Sequence, residues 1–288
     1  MFFSEYKAAI MKKIYCLALI LLCLQTTNAQ YGSFDYSKTV KPFKIFDNLY
    51  YVGNDAVSAY LLETNKGLIL IDALYAKYTK DIPGACQQLG FDVKNIKYIL
   101  CTHGHFDHCE GAEEIQKLCN ARIGMLEPDW QMAEGSVKAD YTSVNPNMKR
   151  DWVIHDGDSL VLGKTTVHFF QTPGHTPGTL SLDFLAIDGK NQYKAFMFGG
   201  VGLNFEGVAR TEMYLNSVDR IMQMKDIQVN ISNHPGPGKI FEKAALLTKR
   251  NAGDPHPFVA PDEFQAWLVG LRKDALVKLA EEKKKLAN

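Results

Sequence analysis

Residues 97 to 109 read Lys-Tyr-Ile-Leu-Cys-Thr-His-Gly-His-Phe-Asp-His-Cys. An apolar run, Tyr98 to Cys101, stops abruptly, and His103, His105, Asp107 and His108 then crowd three imidazoles and a carboxylate into six residues. Histidine is the commonest metal ligand, and neutral imidazole with carboxylate suits zinc. So tight a loop cannot easily give all four groups to one ion. Alternate residues of an extended strand end project the same way. His103 and His105 are therefore expected to share one ion, and Asp107 and His108 to face a second. A lone histidine is usually an ordinary polar residue; the density of this cluster argues against that here.

Two distant histidines can complete the sets. His175 lies in Thr172-Pro-Gly-His-Thr-Pro-Gly178 and His234 in Ser232-Asn-His-Pro-Gly-Pro237. Both follow apolar strand-like runs, and both sit among Gly and Pro, which suit tight turns and leave a loop less entropy to lose. The first ion is assigned His103, His105 and His175; the second, Asp107, His108 and His234. Three protein ligands per ion leave an open position, which marks a catalytic rather than a structural site. His155, His168 and His256 are read as ordinary: a residue before an Asp-Gly turn, an alternating strand residue, and a residue between prolines.

Two zinc ions ~3.5–4 Å apart can share a water, lower its pKa to about 7 and polarise a carbonyl. The hydroxide attacks a carbonyl carbon, with Asp107 ligating the second ion and aiming the nucleophile. No serine or cysteine nucleophile is needed. The expected reaction is hydrolysis of an amide, ester or thioester in a small-molecule substrate.

The elements that must hold these residues can be read from periodicity and turn residues. Phe43 to Phe46, Leu49 to Val52, Ala59 to Glu63 and Gly67 to Asp72 read as strands, with turns at Asp47-Asn48 and Asn65-Lys66-Gly67. Ile69 to Ile71 is apolar throughout, as in a strand buried on both faces. Asp72 at its end could orient a metal-bound histidine or simply cap a turn. Helices are expected at Thr79 to Leu89, starting late because of Pro83, and at Glu110 to Cys119 and Pro128 to Glu134, with a strand at Arg122 to Met125. Residues 135 to 150 lack periodicity and read as a loop. Strands follow at Ser159 to Leu162, Val167 to Gln171, Leu180 to Ile187, Tyr193 to Phe198 and Val229 to Ser232. Helices are expected at Thr211 to Met224, Lys239 to Arg250 and Pro261 to Leu286. This is a mixed α/β pattern with the site at a sheet edge.

The 288 residues suffice for one large domain, and no linker, repeat or composition shift divides them. Lys and Arg number 32, as do Asp and Glu, so nothing in the charge balance points to nucleic acid as a partner. Met11-Lys12-Lys13, the apolar run Ile14 to Leu24 and Thr27-Asn28-Ala29 have the order of a secretory signal. Cleavage is expected before Gln30, with Met11 as an alternative start, export to a bacterial periplasm, and residues 30–288 as a single domain beginning with a loose arm at 30 to 42. Eleven apolar residues are too few to span a bilayer, so no membrane span is expected after cleavage, and a monomer is expected. Of the six cysteines, Cys86 and Cys119 on predicted helices could pair in an oxidising compartment. Cys101 reads as a buried strand residue. Cys109 flanks the metal loop, where a thiolate could compete for zinc.

His103-Gly-His105-Phe-Asp107-His108, with His175 and His234, resembles the metallo-β-lactamase superfamily. Within it, Asp47 to Gly53, His155 to Asp158, Thr172 to Gly178, Ser232 to Pro235 and Pro257 to Val259 resemble the subclass B3 metallo-β-lactamases, in order, over roughly residues 40 to 280. The resemblance implies a four-layer αββα sandwich, two Zn2+ held by the ligand sets given above, and hydrolysis of β-lactams, with lactones or other esters as the alternative. Thioesterases of the glyoxalase II kind and many lactonases carry a metal-bridging aspartate at the strand end that here reads Phe198-Gly199-Gly200. Many B3 enzymes place serines in the same stretch to bind the substrate carboxylate. This chain instead has Gly200, Val201 and Gly202, then Asn204, the candidate substrate contact, which could equally be a plain turn residue.

Overall fold

The computed structural model describes residues 38–137, 148–224 and 226–287. The targeting segment and most of the expected 135–150 loop lie outside them.

The chain first builds a seven-stranded sheet in sequence order. Strands β1 (Phe43–Phe46), β2 (Leu49–Tyr51), β3 (Tyr60–Thr64) and β4 (Gly67–Ile71) form an antiparallel meander. Its turns fall at Asp47-Asn48 and Asn65-Lys66, as expected. Strands β5 (Ile96–Leu100), β6 (Arg122–Leu126) and β7 (Trp152–Ile154) then run parallel to β4. Parallel neighbours need crossovers, and helices supply them: α1 (Ala76–Thr79) and α2 (Asp81–Gln88), then α3 (Phe106–Cys109) and α4 (Ala112–Cys119), then α5 (Glu127–Ala133). Pro83 sits in the first turn of α2, where its missing N–H costs nothing. Strand β7 was not expected. Three residues opening with Trp are too short for a periodicity reading, and pairing with β6 decides them.

The second sheet is an antiparallel run of β8 (Ser159–Leu162), β9 (Thr165–Gln171), β10 (Leu180–Asp188) and β11 (Asn191–Phe198). Helix α6 (Val208–Met222) crosses over to β12 (Val229–Ser232), which is parallel to β11. Helices α7 (Ile240–Leu247) and α8 (Pro261–Ala287) complete the chain. Among the described residues no helix is long and apolar enough to cross a membrane.

The two sheets pack face to face. Inward residues of the first, such as Tyr51, Tyr60, Leu62, Ile69, Ile71 and Leu100, meet Val167, Phe169, Leu182, Phe184 and Met197 of the second in one buried cluster. On the far side of the second sheet, Phe196 and Phe198 pack with Tyr214, Val218 and Ile221 of α6 and Phe264 and Leu268 of α8. Helices α4 and α5 pack on β5, β6 and β7 of the first sheet, burying Ile115 and Trp130 on the side away from the second sheet. The order helix, sheet, sheet, helix is the expected four-layer αββα sandwich.

Three other expectations change. Cys86, Cys101, Cys109 and Cys119 are all free thiols, and Cys119 Sγ donates to Ile115 O. Placement on two helices does not bring sulfurs within bonding geometry. The end of the expected loose arm is pinned: Lys38 N–H donates to Asp55 Oδ1 and Thr39 Oγ1 to Asp81 Oδ2. His256 is buried, stacked on Phe46 with ring centroids 3.9 Å apart and bonded through Nε2 to Ile45 O, so its role is packing.

Candidate metal centre

Strands β4, β5, β9, β11 and β12 all end at one rim of the sandwich, where β10 begins, and every expected ligand is at that rim. Hydrogen bonds knit the two sheets there. Leu180 N–H donates to Thr102 O at 2.7 Å and Ser58 N–H to Asn233 O at 2.9 Å. Within the second sheet, Asn233 Nδ2 donates to Gly199 O at 2.7 Å. The rim is thus fixed before any ion is considered.

His103 and His105 do not lie on a strand end. Strand β5 stops at Leu100, so both histidines lie in the loop beyond it, and Asp107 and His108 are on the short helix α3. The expected grouping nevertheless matches the geometry. His175 Nε2 is 3.2 Å from His103 Nε2 and 3.1 Å from His105 Nδ1. His108 Nε2 is 3.3 Å from both His234 Nε2 and Asp107 Oδ2, and His234 Nε2 is 3.8 Å from Asp107 Oδ2. The two triads adjoin, because His103, Asp107 and His108 also converge and the rings of His103 and His108 are 4.2 Å apart.

The chemistry of these contacts fits a cation. His175 Nδ1 lies 2.8 Å from Gly202 O, and His234 Nδ1 2.8 Å from Ala56 O. A carbonyl only accepts, so both Nδ1 atoms carry the proton and both Nε2 atoms present lone pairs. His108 Nδ1 faces Asp72 Oδ2 at 2.8 Å in the same way. Thr102 Oγ1 donates to Asp72 Oδ2 and can accept from His103 Nδ1 at 3.2 Å. Lone pairs and a carboxylate therefore point at one another at close range, and a metal ion makes that arrangement favourable. Asp72 is the orienting residue of the two readings given for it: it fixes His108 directly and His103 through Thr102. It also accepts Thr102 N–H at 2.7 Å. Asp72 and Leu74 both hold positive φ, 57° and 61°. That unusual backbone lets Ala73 N–H reach His108 O and Gly111 N–H reach Leu74 O, seating α3.

Burial holds His103 and His105 well below the ordinary imidazole range, with neighbouring imidazoles adding to the effect. Burial lowers His175 to about 4, against the pull of the Gly202 carbonyl. All three are neutral at pH 7, as ligands must be. Burial would also lower His108, but the Asp107 and Asp72 carboxylates outweigh it and raise it to about 10. Positive charge is thus favoured between those carboxylates. Burial would raise Asp107, yet the neighbouring His108 and His234 bring it below the usual carboxylate range.

Two residues that sequence reasoning missed support the His175 loop. Arg210 on α6 donates through Nε to Gly174 O at 2.7 Å and through Nη2 to His175 O, and its guanidinium lies over Phe205. Asp129, on α5, is fully buried at the junction of the two ligand loops. Burial pushes its carboxyl up to about 6, against the pull of Thr176, Gly104 and Gly178, so it is ionised at neutral pH. Neither belongs to a motif; their partners on the ligand loops are mostly main-chain groups, which leave no trace in side-chain identity. Arg210→Ala removes charge-assisted bonds of about 1.5–3 kcal/mol each. It should weaken metal binding at the His103, His105, His175 triad about tenfold, a loss of ~1.4 kcal/mol. Competition with a chromogenic chelator measures this, and an unchanged affinity would show that the loop holds itself.

Asn204 is exposed beside this triad. A Cβ at Gly202 would stand 2.6 Å from Asn204 Oδ1 and 3.3 Å from His175 Cε1. The β11 end has no room for side chains. A Cβ at Gly199 would collide with the Leu180 carbonyl, and one at Gly200 would lie 2.6 Å from His175 Cβ. His155 is exposed, and His168 pairs with Asp183 on the second sheet at 2.6 Å; neither joins the centre.

Residues 52–186 match the Metallo-beta-lactamase superfamily. Among solved structures, BJP-1, a subclass B3 metallo-beta-lactamase of Bradyrhizobium japonicum, superposes with a TM-score of 0.78 at 31% identity, covering 86% of this chain and 97% of that chain. Among curated proteins, an N-acyl homoserine lactonase of Bacillus sp is 28% identical over 149 residues, 44% of this chain and 57% of its own length. A cytoplasmic hydroxyacylglutathione hydrolase of Arabidopsis thaliana is 26% identical over 178 residues, 55% of this chain and 63% of its own. The chain thus spans roughly half to two thirds of the length of these two curated relatives.

Proposed function

Because the chain belongs to the metallo-beta-lactamase superfamily of hydrolases, we propose that it is a dinuclear zinc enzyme that opens β-lactam rings. One observation carries the choice of substrate: BJP-1, a subclass B3 enzyme, superposes over 97% of its length at 31% identity. The glycine end of β11 agrees with it, since an aspartate able to bridge two metals could not stand at Gly199 or Gly200 without displacing Leu180 or His175.

In this reading His103, His105 and His175 hold one zinc, and Asp107, His108 and His234 the other. When bound, zinc supplies a Lewis acid that polarises the scissile carbonyl and lets water deprotonate near neutral pH. The chain's own residues do the rest. Asp72 and the Gly202 and Ala56 carbonyls keep the Nδ1 protons of His108, His175 and His234 turned away from the centre. Asp107 gives Oδ2 to the second triad, and its other oxygen would accept a hydrogen bond from the attacking water and aim its lone pair. Asn204 contacts the substrate from the β11 end. Asn204→Ala should raise KM severalfold and leave kcat nearly unchanged, the signature of lost uniform binding; an unaltered KM would return Asn204 to a turn role. The secretory-signal order of residues 11–29 supports export to a periplasm.

A second reading, hydrolysis of lactones or other esters, is favoured by the lactonase similarity and by Gly200 and Gly202, which offer no hydroxyl to a substrate carboxylate. The zinc-loaded protein should be assayed on a penicillin, a cephalosporin, a carbapenem and an acyl lactone, with and without chelator. Chelator-sensitive lactam opening above ~10⁴ M⁻¹s⁻¹ in kcat/KM supports the first reading. Turnover of the lactone alone transfers the function to the second.

A further inference from the structure

The chemistry above makes no use of the Asp129 carboxylate, although it is buried between both loops of the first triad. Gly104 N–H, from the residue between His103 and His105, donates to Oδ2 at 2.8 Å. Thr176 Oγ1, next to His175, donates to the same oxygen at 2.6 Å, and Gly178 N–H donates to Oδ1 at 2.7 Å. Packing closes the junction further. A Cβ on Gly104 would lie 2.8 Å from Asp129 O, and one on Gly178 would lie 2.6 Å from Asp129 N. The carboxylate is itself firmly mounted: the next residue, Trp130, is fully buried and donates through Nε1 to Trp152 O across to β7.

Three donors converge on Asp129, so only a group with acceptors on every side satisfies them. An amide would turn an N–H toward at least one of those donors. The ligand loops belong to different sheets, and Leu180 N–H to Thr102 O ties them at their base. Asp129 ties them again beyond it, at Gly104 on one side and at Thr176 and Gly178 on the other. We propose that Asp129 is the positioning residue of the first triad, setting the separation of His105 from His175 and through it the affinity of that site for metal. This inference rests on the reading of the triad as a metal site.

The test uses the full chain with zinc and, separately, cobalt. Metal equivalents and their affinities are read by chelator competition, and the geometry of each site by the cobalt absorption spectrum. The wild type should take up two equivalents. Asp129→Asn should weaken one of them by ~10–100-fold, as expected for a group orienting ligands, and should change the cobalt bands of that site alone. Thr176→Val, which removes one of the three bonds, should shift the same equivalent by less, and Thr176→Ser should restore it. Equal weakening of both equivalents, or an Asp129→Asn protein with wild-type affinities and spectrum, overturns the proposal. If Asp129→Asn does not fold, the two Thr176 variants decide, and identical binding by Thr176→Val and wild type overturns it. A folded wild type that binds no metal would instead refute the metal-centre reading.

Discussion

Replacing His103 with alanine should leave about one metal per chain and cut turnover on the order of a thousandfold. Groups that merely orient a ligand cost ~10–100-fold when removed, so loss of the ligand itself should exceed that. His103 is also the hinge between the triads: its Nε2 faces His175 and its ring lies on His108. Its loss should disturb the second triad as well as empty the first. Metal analysis with steady-state kinetics checks this, and near-normal turnover with two metals bound would remove His103 from the ligand set.

Asp107→Asn should behave differently. The amide oxygen can still face the second triad, but an NH2 group then replaces the oxygen that accepts the nucleophile's hydrogen bond and aims it. A misplaced reacting group can cost on the order of 10²-fold. We expect kcat to fall by about that much while KM changes little and the metal content stays above half of the wild-type value. A fall in metal content that parallels the fall in kcat would make Asp107 a ligand only.

The cluster was legible because four of its six residues fall within six positions, and because His175 and His234 each follow a strand in a Gly- and Pro-rich turn. The strand-end alternation used to divide the ligands was not the real cause. The division arises because His103 and His105 lie in an irregular loop while Asp107 and His108 ride on one turn of helix. The alternating strands and amphipathic helices were legible for the same reason of periodicity, whereas β7 is three residues whose conformation is decided by its neighbour. Asp129 and Arg210 were invisible. Their partners lie 25 to 49 residues away for Asp129 and 35 to 36 for Arg210, and most are backbone groups that any sequence would provide. A single intervening Gly-rich loop gives no hint of which helix will reach it.

The first sheet is built from an unbroken stretch of chain ending at Ile154, and the second from one beginning at Ser159. Four of the proposed ligands come from the first half and two from the second. On that reading metal binding and the docking of the halves are linked equilibria, each drawing on the free energy of the other. An ion present at a thousand times its dissociation constant adds about 4 kcal/mol to the docked state. Conversely, any core substitution between Leu62 and Phe184 that lets the halves slide will register at the rim as weaker affinity, far from any ligand. In this protein the tightness of the metal is a gauge of how well two half-proteins fit.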